Sequence, residues 1–291
     1  MEELLTVAAV ARRLGIAPAT LRTWDRRYGL GPSDHEAGSH RRYCPEDLAK
    51  LTVMRRLISA GVSPADAAAQ ALLHKGKVKI EQFTSTCRGC DETVDAIVHA
   101  ANALDRPLVE TFLRNEIEEN GVIDAWKSVF VPVLVRVGKE WAATGTGIEV
   151  EHMLTEIIKR ILRETMVEIK KPINAHPVLL ASVGEEMHTI PLHALAAALA
   201  ERSIETNFLG ACTPLEALSG MITRSAPPAV FLWAQLPQNA HAKFIQDIPA
   251  IRPAPRIILG GPGWAKITCE NAVVASGIES ACDEIAQAVG A

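Results

Sequence analysis

The sequence predicts a multi-domain protein of the α and α/β classes, with a helix-turn-helix head, a helical bundle and a C-terminal α/β domain. Short helical segments punctuated by glycine and proline fill the head. Helical periodicity without a convincing strand follows, and after Pro177 short apolar runs alternate with helical segments. We place the head, linker, bundle and α/β domain at residues 1–75, 76–90, 91–172 and 173–291.

Composition excludes several classes of protein before any motif is considered. The 291 residues are 48% hydrophobic and 22% charged, which excludes disordered and collagen-like chains. No apolar run reaches the ~18–20 residues of a membrane span, and the first residues lack the basic and apolar regions of a signal peptide. Six cysteines are too few for a disulfide scaffold. We therefore expect a cytoplasmic protein with no membrane partner.

The charge is divided unevenly between the head and the rest of the chain. Residues 1–75 carry 11 Lys and Arg against 8 Asp and Glu, a net charge of +3, whereas residues 76–291 carry a net charge of −7. A small basic head on an acidic body favours nucleic-acid binding by the head alone.

Two short helices open the head. Thr6 is suited to cap the first, which Gly15 ends, and the second runs from Pro18 to Tyr28 before Gly29. Two such helices joined by a glycine-containing turn are typical of a helix-turn-helix.

A polar segment and two more helices complete the head. Residues 30–43 are polar and glycine-rich, which predicts a loop or hairpin. Pro45 and the two acids after it open a third helix that runs to Ala60. Residues 63–66 (Ser-Pro-Ala-Asp) have the pattern of a capping box, which opens a fourth helix through Leu73.

Two basic clusters lie in the head. Arg22 and Arg26 are four residues apart on one helix and share a face, and a second cluster follows at 39–43 (Ser-His-Arg-Arg-Tyr). Arginines interleaved with aromatic residues suit phosphate and groove contacts. The alternative is a solvated basic helix on which Trp24 and Tyr28 only pack the small core.

The stretch from Leu4 to Leu73 resembles the MerR-family DNA-binding domain, a winged helix-turn-helix. The resemblance rests on the compound pattern R-x-W-D-R-R-Y-G-L, then H-R-R-Y, then an acid-capped helix. It implies contacts with double-stranded promoter DNA by the recognition helix (Thr20, Arg22, Arg26, Arg27) and by the wing (His40, Arg41, Arg42), which Tyr43 packs. Where relatives carry an arginine two residues after the wing proline, this chain has Asp34.

The bundle carries one polar motif. Trp141 is expected to end one helix, and Glu151 with His152 is expected to open the next, because the segment between them is rich in glycine and threonine. A tryptophan and a polar pair would then meet at one end of the bundle. The alternative is a capping tryptophan and a surface Glu–His pair.

The C-terminal part of the chain has the pattern of an α/β domain. Apolar runs at 178–183, 230–233 and 257–260 alternate with helices at 192–202 and 214–224, which predicts a parallel sheet with helices on both faces.

His188 follows the first of these strands, so it lies at the carboxyl end, where such sheets bind ligands. An imidazole there, with Glu186 to orient its ring, is suited to ligate a metal. The alternative is a loop histidine without a partner.

Together the two motifs resemble the CarH/LitR group of MerR-type regulators, in which a helix bundle and a flavodoxin-like domain bind adenosylcobalamin between them. The motif W-x9-E-H is Trp141, Glu151 and His152, and E-x-H is Glu186 and His188. The resemblance implies His188 as the lower axial ligand of cobalt and contacts with the adenosyl group from Trp141 and Glu151. It also implies that His152 takes the upper position after light breaks the Co–C bond.

Four further positions bear on that motif. Gly260 and Gly261 match the glycines that let the backbone approach the nucleotide tail, although they also suit a plain strand-ending turn. Pro191 replaces the motif glycine, and Ala234 replaces a serine after the central strand.

The cysteines add one motif. Cys87 and Cys90 form the single C-x-x-C, without the second pair that a zinc site needs, so linker cysteines compete with a redox or metal role.

These patterns lead to a functional hypothesis and two alternatives. We expect a non-enzymatic transcriptional regulator, a repressor by resemblance, which binds DNA as a dimer or tetramer under control of adenosylcobalamin and light. One alternative is a regulator of the same fold that has lost cobalamin and senses another ligand or partner. The other is a corrinoid carrier for a methyltransferase, which has no reason to hold a helix-turn-helix.

Overall fold

The computed structural model describes residues 5–14, 16–33, 41–59, 62–73, 90–166, 169, 171–267, 269 and 271–291. The chain divides into two compact units, Met1–Asn115 with Ser128–Leu154, and Glu116–Lys127 with Thr155–Ala291. The predicted linker at 76–90, with Cys87, lies outside the described residues, except that Cys90 begins a helix. The boundaries of head, linker and bundle therefore stay predictions.

Helices and a small antiparallel sheet form the described part of the head; the sequence predicts the four helices but not the strand at Leu5–Thr6. In chain order the elements are β1 (Leu5–Thr6), α1 (Val7–Leu14), α2 (Pro18–Tyr28), β2 (Arg42–Tyr43), α3 (Pro45–Ser59) and α4 (Pro64–Leu73). In the sheet, Leu5 pairs with Tyr43 and Thr6 pairs with Arg42.

Local chemistry sets the ends of the head helices. The hydroxyl of Thr6 accepts the backbone N–H three residues further on, at 3.3 Å. Gly29 ends α2 in the left-handed conformation, with φ 69°, and donates its N–H to the carbonyl of Asp25. Ser63 donates to the carboxylate of Asp66 at 2.6 Å and accepts its N–H at 3.3 Å. The predicted caps at Thr6, Gly29 and Ser63 are confirmed, whereas the predicted helix ends at Gly15 and Ala60 lie outside the described residues.

The next four helices follow in residues 90–166. They are α5 (Cys90–Asn102), α6 (Arg106–Ala125), α7 (Val131–Thr144) and α8 (Ile148–Met166), with a π-helical turn at Trp126–Phe130. Four helices without a strand in this range confirm the prediction. Trp141 lies in the last turn of α7, whereas Glu151 and His152 lie in the first turn and a half of α8.

A parallel sheet with helices forms the C-terminal region. Its strands are β3 (Val178–Val183), β4 (Thr206–Thr213), β5 (Ala229–Trp233), β6 (Arg256–Gly260) and β7 (Val273–Val274), in the order β4-β3-β5-β6-β7. The helices are α9 (Ile190–Glu201), α10 (Leu215–Ser225), α11 (Ala242–Gln246) and α12 (Ile278–Val289). This order is that of a flavodoxin-like sheet, and the prediction of that fold is confirmed.

Strand order determines where this domain presents a ligand site. The chain runs from β3 to one neighbour, β4, and then returns to β5 on the other side, so the crevice of the sheet lies at the carboxyl ends of β3 and β5. All six residues of β3 are buried, as its largely apolar run predicts. Among the described residues, no helix is long and apolar enough to cross a membrane.

Candidate functional site

A buried carboxylate organises the crevice between β3 and β5. Glu186 follows β3 and is fully buried. Its Oε2 accepts the backbone N–H groups of Gln235 at 2.9 Å and Leu236 at 3.1 Å, and the side-chain amide of Asn239 at 3.0 Å. All three donors come from the segment after β5. The loop after β3 and the loop after β5 are therefore joined through one side chain.

The second oxygen of the same carboxylate holds His188. Oε1 of Glu186 accepts the backbone N–H of His188 at 3.0 Å, and it lies 2.5 Å from Nδ1 of the ring. Burial alone would raise the pKa of Glu186, but the hydrogen bonds from Asn239 and His188 outweigh it and hold this pKa at about 2. The carboxylate is thus charged at neutral pH and accepts a hydrogen bond from Nδ1–H.

This arrangement leaves one ring nitrogen of His188 for a ligand. Because Nδ1 donates to the carboxylate, the neutral ring carries its lone pair on Nε2. The side chain is 53% exposed, although its partner is fully buried. The alternative of a loop histidine without a partner is therefore wrong: His188 is oriented by Glu186 as the sequence predicts, in the arrangement common to metal-binding histidines.

An apolar cavity of about 420 Å³ lies at the carboxyl end of β6. Six of its lining residues are Pro191, Leu195, Phe231, Trp233, Gly260 and Gly261. Neither glycine has room for a side chain: a Cβ on Gly260 would overlap the ring of Phe231, and a Cβ on Gly261 would overlap the carbonyl of Ala234. These glycines therefore border the cavity and also let the chain pack against itself.

The two departures in the motif have a structural explanation. Pro191 lies in the first turn of α9, where its missing N–H breaks no helical hydrogen bond, and its ring lines the cavity. Ala234 is fully buried; its N–H donates to Gly260 at 3.0 Å, and its carbonyl accepts the N–H of Gly263 at 2.9 Å.

The bundle motif presents an exposed aromatic side chain. Trp141 is 42% exposed at the end of α7, which is unusual for the largest apolar side chain. Gly145 and Gly147 turn the chain with φ of 68° and 92°, so that α8 begins directly after. Glu151 is half-buried and His152 is exposed.

The recognition helix α2 has two distinct faces. Leu21 and Trp24 are buried in the core of the head, whereas the side chains of Arg22, Arg26 and Arg27 are exposed. Thr20 is half-buried at the start of the same helix. Trp24 does pack in the core, as the alternative of a solvated basic helix holds. The same packing directs the arginines outwards.

In the wing, the predicted residues differ in their surroundings. Arg42 is exposed, and Tyr43 is 1% exposed and packs against the core of the head. Arg41 is held: its Nε donates to Oδ2 of Asp25 at 3.0 Å. His40 and Asp34 lie outside the described residues.

Asp25 was not identified from the sequence. An acid inside a basic recognition helix is a signal in itself, because it would repel phosphate unless a cation neutralised it. It also explains Gly31, where a Cβ would overlap the carboxylate of Asp25.

Comparisons with known proteins agree with this geometry. Residues 5–71 match the MerR HTH family regulatory protein model, and residues 93–164 match the B12 binding domain model. The chain is 26% identical to the HTH-type transcriptional repressor CarH of Myxococcus xanthus over 90% of this chain and 88% of that one. It is 27% identical to the repressor CarA of the same organism over 89% and 87%.

A solved structure shares the fold of the C-terminal part. The monomethylamine corrinoid protein of Methanosarcina barkeri matches with a TM-score of 0.51 and 13% identity, over 69% of this chain and 98% of that one. The head and body together define a DNA-binding transcriptional regulator with a cobalamin-type sensor. Along about nine tenths of its length, the chain is similar to MerR-type regulators of the CarH type.

Proposed function

We propose that this regulator is a repressor that binds adenosylcobalamin, with His188 as the lower axial ligand of cobalt, and that light acting on the cofactor changes its DNA binding. The observation that carries the proposal is the Glu186–His188 pair, which leaves Nε2 open at the crevice of a flavodoxin-like sheet. The repressor assignment is supported by the names of the CarH and CarA relatives.

The donor set suits a metal that arrives with its own ligands. Among the described residues, no group of three or more His, Cys, Asp or Glu side chains could hold a bare metal ion. A single oriented imidazole would therefore suit a cobalt ion whose other ligands come with the cofactor, from the corrin and the adenosyl group. The apolar cavity of about 420 Å³ beside Gly260 and Gly261 is suited to the nucleotide tail.

Each residue then has a defined task. Glu186 fixes the tautomer and the orientation of His188, and the hydrogen bonds from Asn239, His188 and Leu236 keep that carboxylate charged by lowering its pKa against the effect of burial. The proposal assigns the adenosyl face to Trp141, Glu151 and His152. When bound, adenosylcobalamin supplies a Co–C bond that light cleaves, and this is the chemical basis of the signal.

The DNA-binding part of the proposal rests on the exposed arginines. Arg22, Arg26 and Arg27 on α2 and Arg42 on β2 are placed to contact phosphates and base edges. One head of this size reads one half-site, so a two-fold operator needs at least a dimer.

The decisive experiment is an absorption spectrum of the purified protein incubated in the dark with adenosylcobalamin and then filtered. The proposal expects a coloured protein with the base-off/His-on spectrum, and His188→Ala should lose that spectrum. His176→Ala is the matched control, because His176 is an exposed histidine in the segment before β3.

The outcomes separate the candidate functions. A colourless wild-type protein would contradict the cobalamin proposal and would favour a regulator of the same fold that responds to another ligand. An unchanged spectrum in His188→Ala would remove His188 as the ligand while leaving cobalamin binding in place.

A further inference from the structure

A partly buried ion pair joins helix α3 of the head to the turn between α5 and α6, within the first compact unit. Nη1 of Arg55 lies 3.2 Å from Oδ2 of Asp105, and Nε of Arg56 lies 3.9 Å from the same oxygen. The carboxylate of Asp105 is only 3% exposed, whereas the two arginines keep about a quarter of their exposure, at 24% and 23%. The more buried partner of the pair is thus Asp105, which belongs to the bundle.

The turn that carries Asp105 is built to receive a cation. The other carboxylate oxygen of Asp105 accepts the N–H of Leu108 at 3.4 Å, which caps the start of α6. Nη2 of Arg55 also donates to the carbonyl of Ala103 at 3.0 Å, just beyond the end of α5. One guanidinium therefore donates to an N-cap carboxylate, which carries a full negative charge, and to a carbonyl at a helix C-terminus, which carries a partial one.

Burial distinguishes this pair from the other ion pairs of the helical region. The pair of Arg136 with Asp95 is about half exposed on both sides, and pairs of that kind contribute little to stability. A carboxylate that is 3% exposed cannot be left without a cation, because an unpaired buried charge is strongly unfavourable. The contact of α3 with Asp105 is therefore specific in position as well as in charge.

Helix α3 leads directly from this contact to the DNA-binding surface. It begins at Pro45, two residues after Tyr43 of the wing strand, and it also contacts α1 and β2. A rotation of α3 at Arg55 would thus move the wing as well.

We propose that Asp105 is a positioning residue for DNA binding: through Arg55 and Arg56 it holds the head in one orientation on the helical hairpin α5–α6. The inference rests on DNA binding by the head and is independent of cobalamin. Two heads that must meet two half-sites at a fixed spacing need such a fixed orientation, whereas a single head on a single half-site does not.

Hydrogen exchange of the full chain tests the contact itself. Asp105→Asn removes the charge but keeps a good N-cap residue, so α6 should still be capped. Amides in the second half of α3 and in residues 103–108 should both exchange at least tenfold faster. Arg55→Met, a change in the head, should do the same in residues 103–108, and Asp95→Asn, the matched control, should leave both segments unchanged. The proposal would be overturned if exchange became faster only in residues 103–108 and only in the Asp105→Asn variant. Asp105 would then act only as the N-cap of α6.

DNA binding tests the positioning role. The probe is a duplex selected from a random pool by the wild-type chain, compared with the same duplex in which one half-site is scrambled. For Asp105→Asn we expect about tenfold weaker binding to the two-site duplex and binding within twofold of wild type to the one-site duplex. Equal losses on both duplexes, or no loss on either, would overturn the proposal.

Discussion

Asp25 and Arg41 join the recognition helix to the wing by a side-chain ion pair, although they are 16 residues apart in the chain. Nε of Arg41 donates to Oδ2 of Asp25 at 3.0 Å, and the two side chains are 39% and 26% exposed. Arg41 is therefore engaged within the head, whereas Arg42, the next residue, is exposed. Neighbouring arginines of one basic motif thus have different surroundings.

The first prediction concerns that pair. Asp25→Asn and Arg41→Gln should each weaken DNA binding by up to about fivefold, because a partly exposed ion pair contributes up to about 1 kcal/mol. The double variant should be no weaker than either single one, since both remove the same interaction. Titrations of the four proteins against one operator duplex measure this. Additive losses, or a smaller salt dependence for Arg41→Gln, would mean that Arg41 itself contacts phosphate.

The second prediction concerns the exposed arginines. Arg26→Ala and Arg42→Ala should each weaken binding and reduce the magnitude of the slope of log affinity against log salt concentration by about 1. The reason is that fewer counterions leave the DNA on binding when a phosphate contact is lost. Arg224→Ala, which removes an exposed arginine of α10, is the control and should change neither quantity. Unchanged affinity and slope for the Arg26 and Arg42 variants together would remove this surface as the DNA contact.

The third prediction concerns the carboxylate at the crevice. Glu186→Gln turns one acceptor oxygen into a donor amide among the donors that surround the side chain, so the free energy of unfolding should fall by about 1–3 kcal/mol. Chemical denaturation at pH 7 measures it. Glu185→Gln is the control, because Glu185 is the exposed neighbour. Equal stabilities of the two variants would contradict the role of Glu186 in joining the two loops.

The fourth prediction concerns a buried histidine away from that crevice. His193 on α9 is 4% exposed and stacks on Phe208 with ring centroids 4.4 Å apart. Burial first, and then the positive charges of Arg163 and Lys159, lower its pKa from 6.5 to about 4, with Glu156 opposing.

Because the unfolded chain binds this proton more readily, stability is complete above pH 6.5 and falls as the pH drops towards 4. The loss attributable to His193 is about 3 kcal/mol over that range. His193→Leu should remove this part of the pH dependence, which urea unfolding at pH 7 and pH 4.5 would show. The same pH dependence in both proteins would mean that folding does not lower the pKa of His193.

The fifth prediction concerns assembly. If the chain reads a two-fold operator, sedimentation at micromolar concentration should show a dimer or a tetramer, and with adenosylcobalamin bound, illumination should change that state. A monomer both with and without DNA would count against the proposed mode of operator binding.

Local patterns were sufficient wherever neighbours along the chain set the structure. The caps at Thr6 and Ser63 and the end of α2 at Gly29 depend on residues within a few positions. The buried run of β3 has the same local character, because a strand covered on both faces is mostly apolar. His188 could be placed at the carboxyl end of the first strand for that reason.

Strand β4 shows where such patterns fail. Residues 206–213 form a full edge strand, yet most of its positions are half-buried or exposed, and Gly210, with φ 88°, lies next to an irregularity in its pairing with β3. Because the strand lies at the edge of the sheet and its pairing with β3 is interrupted, its sequence lacks the apolar run that would identify a strand.

The pairs that determine the sites required the folded chain. Asp25 meets Arg41, Arg55 meets Asp105, and Glu186 is held by donors about 50 residues further on. No sequence pattern predicts which residue pairs with a given charged side chain, since the partner is selected by burial and by the approach of distant loops. The sequence alone thus identified which residue types stand at the predicted DNA surface and at the crevice of the sheet, and the tertiary structure decided which of them are exposed and which hold others in place.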